Sequence, residues 1–271
     1  MGPIGVFDSG YGGLTILKEI VRLLPQYDYL YLGDNARAPY GTRSFDRVYE
    51  FTLQAVKYLF AQGCPLVILA CNTASAKALR TIQQRDLPTL APDRRVLGVI
   101  RPTAEKAGDI SRTGHVGIVG TPGTIASQSY DIEIAKLHPG FSTYGQPCPM
   151  WCPIVESGEI GTPGADYFVR RDIERLLAQS PEIDSIILGC THYPLLYQSI
   201  REATPANISI VSQGPIVADS LRDYLRRHPE IDSRLTRGGS IRYLTTDTPD
   251  KFDPLASLFM ERPVASLHAE L

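Results

Sequence analysis

The sequence has no run approaching the roughly 18 consecutive apolar residues that a membrane-crossing helix requires, which excludes a helical span. It also lacks the basic start and apolar stretch of a signal peptide: residues 1–10 read MGPIGVFDSG, and Val6 stands where a myristoylation signal needs Ser or Thr. An excess of one charge is missing as well. Lys and Arg number 27 against 29 Asp and Glu, a formal net charge of −2, so no strongly basic face for nucleic acid is required. Cysteine is scarce and odd in number, five in 271 residues, which argues against a disulfide framework and for reduced thiols in the cytoplasm. None of the five forms a C-x-x-C redox motif. Cys148 and Cys152 are separated by three residues with no second pair of ligands nearby, so no metal site is expected. Gly10 and Gly12 begin a G-x-G-x-x-G pattern, but position 15 is Thr and the dinucleotide fingerprint fails.

What is present suits an ordinary soluble core, with 43% hydrophobic and 21% charged residues. At about 150 residues per domain, the length allows one large domain or two modest ones. Apolar runs at Ile4–Phe7, Tyr29–Leu32, Leu66–Ala70, Val96–Ile100, His115–Val119, Ile186–Leu188, Ile208–Val211 and Ile241–Leu244 read as buried strands. Leu14–Leu24, Phe45–Phe60, Ala74–Gln84 and Ile216–Arg227 read as helices between them. This alternation is the signature of α/β architecture with mainly parallel sheets, where ligands bind beyond the carboxyl ends of strands.

The chain also echoes itself. Ile4–Gly10 (IGVFDSG) resembles Val116–Pro122 (VGIVGTP) at an offset of 112, from 4 to 116. Val67–Thr73 (VILACNT) resembles Ile186–His192 (IILGCTH) at an offset of 119, from 67 to 186. Two echoes in the same order predict two similar α/β halves. Each would place a strand, a small residue, a cysteine and two polar residues at a strand end.

Cys71 and Cys190 are those cysteines. A cysteine after an apolar run is often a small buried hydrophobe, but a matched pair has a chemical use. Inverting a carbon acid needs one group to take a proton from one face and another to deliver one to the opposite face. Two thiols do this if one is thiolate while the other is thiol. An ordinary thiol, with pKa about 8.5, needs only a modest downward shift to act as a base near neutrality. Amides at a following helix start would favour the thiolate and could hold a carboxylate. The same pair could form a redox disulfide, a reading without motif support.

Four segments carry a resemblance to the bacterial glutamate racemases: Phe7–Gly10 (FDSG), Gly33–Gly41 (GDNARAPYG), Ala70–Ala74 (ACNTA) and Gly189–Leu196 (GCTHYPLL). The resemblance implies interconversion of L- and D-glutamate without cofactor or metal, the D-isomer entering peptidoglycan. It implies a homodimer with no nucleic-acid or membrane partner. Cys71 would be the base towards D-glutamate, assisted by Asp8, and Cys190 the base towards L-glutamate, assisted by His192. Asp8, Ser9, Tyr40, Gly41, Asn72, Thr73, Thr191 and His192 match substrate contacts, Glu156 matches a carboxylate near the site, and Thr121 lies in a threonine motif that would meet the substrate carboxylate. The implied domains are 1–97 with 211–271, and 98–210.

Two positions depart from that pattern. Arg101 stands where an acidic residue is usual, and Val211-Ser212-Gln213-Gly214 replaces an Asp-Ser segment. Both bear on the hinge, regulation and subunit contacts rather than the reaction. Asp34 could serve the site, or cap a loop and pair with Arg37. Cys64, Cys148 and Cys152 are read as bystanders. An aspartate racemase and a non-catalytic amino-acid-binding module stay as alternatives.

Overall fold

The computed structural model describes residues 1–271. Ten strands form two sheets: β1 Ile4–Asp8, β2 Tyr29–Gly33, β3 Leu66–Leu69, β4 Arg95–Gly98, β5 His115–Gly120, β6 Ser142–Pro147, β7 Ser185–Gly189, β8 Ser209–Val211, β9 Ile241–Thr245 and β10 Ser266–His268. The first sheet runs β10-β9-β2-β1-β3-β4 and the second β6-β5-β7-β8. Every pairing is parallel. The expected α/β class with parallel sheets is what the chain adopts, and the apolar runs explain it. Every residue of β1, β2, β3 and β7 is buried, as strands covered on both faces require.

The internal echo is a repeat of topology. Both sheets contain the order second-first-third-fourth strand, β2-β1-β3-β4 and β6-β5-β7-β8. Register repeats too: Gly5 faces Val67 in the first sheet, and their echoes Gly117 and Ile186 face each other in the second. In each sheet the chain leaves its first strand in one direction and continues from its third in the other. The gap between those strands is a topological switch point, where parallel sheets open a crevice at their carboxyl ends. Asp8 and Cys71 flank one such gap; Thr121 and Cys190 flank the other.

The first sheet takes strands from both ends of the chain, β1–β4 and then β9–β10, while β5–β8 form the second. The halves are not separate cores. One hydrophobic cluster joins Ile4 and Val6 of the first sheet to Ile186 and Leu188 of the second. Helix Gln213–Arg227, after the last strand of the second sheet, packs along helix Gly13–Leu23, after the first strand of the first.

Several elements differ from the sequence reading. Ser142–Pro147 (STYGQP) and Ser266–His268 are strands that carry no apolar run. The expected strand Val96–Ile100 ends at Gly98, and Ile100 begins helix Ile100–Glu105, because a short apolar run does not distinguish strand from helix. The expected helix Ala74–Gln84 starts at Asn72 and breaks at Ala78, whose φ is −118°; a π-helical turn follows over Ile82–Asp86. Ser75 explains part of this, since its hydroxyl donates to Leu69 O at 2.9 Å and ties the first turn to β3.

Candidate active site

The two crevices open on one cavity of about 410 Å³. All twelve residues named from the sequence line it: Asp8, Ser9, Tyr40, Gly41, Cys71, Asn72, Thr73, Thr121, Glu156, Cys190, Thr191 and His192. The first seven come from the strand end, loops and helix start of the first sheet, and the rest from loops and a helix of the second. Close approach of the halves is built into the glycines. A Cβ on Gly12 would lie 2.2 Å from Thr191 Oγ1 and 2.5 Å from His192 Nδ1, so no other residue fits there without displacing the second half.

Cys71 caps helix Asn72–Lys77: the Ala74 amide donates to its Sγ at 3.4 Å, and Ser9 Oγ lies 3.4 Å away. Asp8 ends β1 with its Oδ2 accepting from the Gly10 amide at 2.9 Å. Across the cavity Thr73 Oγ1 meets Thr121 Oγ1 at 3.0 Å, and Thr121 accepts from the Thr124 amide at 3.2 Å, capping the next helix. Asn72 is held behind the site. Its Nδ2 donates to Gln213 Oε1 at 2.7 Å, and its Oδ1 accepts from Tyr130 OH at 2.7 Å. Gln213 Nε2 donates to Tyr130 OH at 2.6 Å and Thr103 Oγ1 at 3.0 Å, so the departure noted in the sequence is a buried joint between the halves. Arg101, the other departure, pairs with Glu105 at 3.0 Å on the surface, away from the cavity.

Cys190 has different company. Its Sγ is 3.4 Å from Cys152 Sγ and 3.9 Å from His192 Nδ1, and His192 Nε2 lies 2.8 Å from Glu156 Oε1. Cys148 and Cys152, both read as bystanders, also line the cavity, and Cys152 is the one whose sulfur meets Cys190. It sits on helix Trp151–Glu156, four residues before Glu156 and therefore on the same face. That i,i+4 spacing was the available signal. Asp34 does not line the cavity. Fully buried, it binds Arg37 Nε at 2.7 Å, accepts from Thr246 at 2.9 Å and receives the Tyr40 hydroxyl, which orients the loop carrying Tyr40 and Gly41.

The electrostatics of the two thiols diverge. Burial pushes the Cys71 thiol up to about 12; the Asp8 carboxylate adds to this, and the Ser9 hydroxyl and Ala74 amide offset it only in part. Burial would also raise Cys190, but hydrogen bonds from Cys152 and His192 and the adjacent imidazolium charge outweigh it and hold the thiol well below its ordinary value. His192 is the complement. Burial disfavours its charge, but Cys190 on one nitrogen and Glu156 on the other raise it well above the usual histidine range. Both directions favour a buried thiolate–imidazolium pair. Asp8 is raised, chiefly by burial, with the His192 charge and the Gly10 and Gly13 amides pulling the other way.

Comparison with known proteins gives the family of the chain. The Asp/Glu/Hydantoin racemase family model matches residues 4–221. A glutamate racemase from Paracoccus denitrificans is 41% identical over 96% of this chain and 97% of its own length. Among solved structures, a glutamate racemase isoform from Bacillus anthracis matches with a TM-score of 0.90 and 32% identity, covering 100% of this chain and 98% of that one. The glutamate racemase of Francisella tularensis in complex with D-glutamate matches with a TM-score of 0.85 and 32% identity, covering 99% and 96%. With a family model spanning most of its length and full-length relatives at this identity, the chain belongs to the Asp/Glu/Hydantoin racemase family.

Proposed function

We propose that this racemase interconverts L- and D-glutamate by two-base proton transfer between Cys190 and Cys71, supplying the D-isomer for peptidoglycan. The observation that carries the reading is the pair of strand-end thiols facing one cavity from opposite sheets, one favoured as thiolate and the other as thiol. Such a pair is poised for one direction. Cys190 thiolate removes the α-proton of L-glutamate, and the Cys71 thiol delivers its proton to the opposite face of the carbanion. Both thiols then hold the reverse protonation states, ready to act on D-glutamate or to re-equilibrate with solvent.

The remaining residues divide the charges of an amino acid. The Asn72 and Thr73 amides and hydroxyls of Ser9, Thr73, Thr121 and Thr191 suit the α-carboxylate, whose charge grows as the proton leaves. Asp8 suits the ammonium, and binding that cation would offset the burial that raises its own pKa. Tyr40 and Gly41 would shape the side-chain end. His192, bonded to Cys190 and Glu156, stabilises the thiolate and can relay its proton. Glutamate rather than aspartate is favoured by the relatives, one of which was crystallised with D-glutamate.

The reading includes the division into 1–97 with 211–271 and 98–210, a homodimer, and a cytoplasmic protein without cofactor; the five free thiols suit a reducing compartment. The deciding experiment is turnover of L-glutamate in D₂O, followed by circular dichroism and by deuterium at the α-carbon. Deuterium entering in step with loss of optical rotation is expected; exchange without inversion would overturn two-base transfer. Faster turnover of aspartate than of glutamate would move the substrate assignment. Light scattering of the purified protein tests the dimer.

A further inference from the structure

Cys152 exchanges no proton with the substrate in the transfer just described, yet its sulfur lies against the thiol that does. Cys152 Sγ, Cys190 Sγ and a ring nitrogen of His192 all lie within 4.8 Å of one another. Two of the edges of that triangle are 3.4 Å between the sulfurs and 3.9 Å from Cys190 Sγ to His192 Nδ1. A tetrahedral zinc ion with Zn–S of about 2.3 Å and Zn–N of about 2.0 Å needs sulfur–sulfur and sulfur–nitrogen edges of about 3.8 and 3.6 Å. Shifts of a few tenths of an ångström bring those two edges to the required separations, and the third, from Cys152 Sγ to the imidazole and within 4.8 Å, closes by rotation of the Cys152 side chain.

The surroundings match as well. A metal-binding histidine characteristically donates its other ring N–H to a carboxylate, which fixes the tautomer and raises the basicity of the ligating nitrogen. His192 has that partner, since its Nε2 is 2.8 Å from Glu156 Oε1, leaving Nδ1 towards the sulfurs. The donor set, two sulfurs and one imidazole, is soft and selects zinc or cadmium over magnesium or calcium. Three protein ligands beside an open cavity leave a fourth position for water or a ligand.

We propose that Cys152, Cys190 and His192 form a binding site for one thiophilic divalent cation of the zinc class, and that occupancy switches the enzyme off. An entering ion would displace the Cys152 thiol proton and the proton on His192 Nδ1. Two thiolates would then neutralise the cation, and the Nε2–H would stay on Glu156. Cys190 would have its lone pair committed to the metal and could not accept the α-proton. The site stands on geometry alone; only its effect on turnover rests on the racemase reading.

The test uses the purified full chain, kept reduced with a phosphine, and titrates Zn²⁺ against a chromophoric chelator and Cd²⁺ by its thiolate charge-transfer absorption. One ion per chain is expected for the wild type. Cys152→Val should weaken binding at least about tenfold, and Glu156→Gln by about tenfold or more, through the lost carboxylate partner. Cys71→Ser should bind as the wild type does, which separates this site from an ion bridging the two strand-end thiols. In turnover assays, each variant judged against its own metal-free rate, Zn²⁺ should suppress the wild type, with recovery on adding chelator, and should spare Cys152→Val. Absence of Zn²⁺ and Cd²⁺ binding in the wild type would overturn the proposal. So would equal binding by Cys152→Val shown by circular dichroism to be folded, or loss of binding in Cys71→Ser. Binding without inhibition would remove the switch and leave the site.

Discussion

The two strand-end thiols occupy equivalent places in two sheets of the same strand order and register, each favoured as thiolate by a backbone amide that follows it, and they differ in their side-chain neighbours. Cys71 has a hydroxyl, a backbone amide and a nearby carboxylate, and burial drives its pKa up to about 12. Cys190 has a thiol, a histidine and that histidine's carboxylate partner, and its pKa falls. On the proposed two-base mechanism, the repeat supplies the two faces of the reaction, and the neighbours favour the two protonation states. Two identical sites would leave much of the enzyme with both thiols in the same state and unable to act. Because L- and D-glutamate have equal free energy in water, kcat/KM must be equal in both directions whatever the thiols do. The asymmetry can appear only in kcat and KM separately, in pH dependence and in exchange.

Removing either thiol is the largest disturbance. Cys190→Ser and Cys71→Ser should each reduce racemisation about a thousandfold or more, at the upper end of what an acid–base group contributes. The comparison predicts a further split. In D₂O, Cys71→Ser should exchange the α-proton of L-glutamate without inverting it, and Cys190→Ser should do so only with D-glutamate. Proton NMR of the α-position measures this. Exchange of the same enantiomer by both variants would break the assignment of one thiol to each face.

His192→Asn strikes the source of the difference. In the wild type, kcat/KM should be lost as pH falls through the depressed Cys190 value, since protonation destroys the base. It should be lost again at high pH as the raised His192 and Cys71 groups give up their protons. Without the imidazolium, the acid limb should move up to or beyond the ordinary thiol value of about 8.5, leaving only a few per cent thiolate at pH 7 and at least about a 30-fold loss there. Activity should partly recover as pH is raised. An acid limb that stays in place would show that His192 does not set the Cys190 state.

A third test asks whether the halves act as one body. Gln213→Leu removes the amide that joins Asn72, Tyr130 and Thr103, leaving buried polar groups without partners. A loss of about 1–3 kcal/mol in a single denaturant transition is expected. Two separate transitions would show that the repeated units fold independently.

The parts of this molecule written in local sequence are legible in it. Continuous apolar runs marked the central strands, and the residue types after them marked the cavity, because parallel sheets place strand ends together at switch points. The edge strand Ser142–Pro147 was not legible, since its residues carry neither an apolar run nor alternation and its pairing with β5 defines it. Cys152 was missed for a related reason. Its meaning lies in a contact with Cys190 at a separation of 38 residues. Gln213 looked like a hinge variant because its partners, Asn72, Thr103 and Tyr130, are scattered along the chain. The opposite pKa directions were only half legible: His192 stands two residues after Cys190 where Cys71 has Thr73, but Cys152 and Glu156 reach that site only through folding.

The smallest expected effect is also the most selective. Glu156 hydrogen-bonds His192 among the titrating site groups, and its side chain is 35% exposed, so solvent screens much of its charge. Exposed or half-exposed ion pairs contribute about 0.2–1 kcal/mol, which corresponds to less than about a fivefold change in an equilibrium. Glu156→Gln keeps an acceptor oxygen near Nε2 while removing the charge. The acid limb of kcat/KM should then rise by less than about one pH unit, with the thiolate form of Cys190 weakened only through its histidine. Exchange of the D-glutamate α-proton in a Cys190→Ser background, which reports Cys71 alone, should be unchanged by the same substitution. A change there would mean that Glu156 acts on the whole cavity, and that the two thiols are less independent in their surroundings than their contacts indicate.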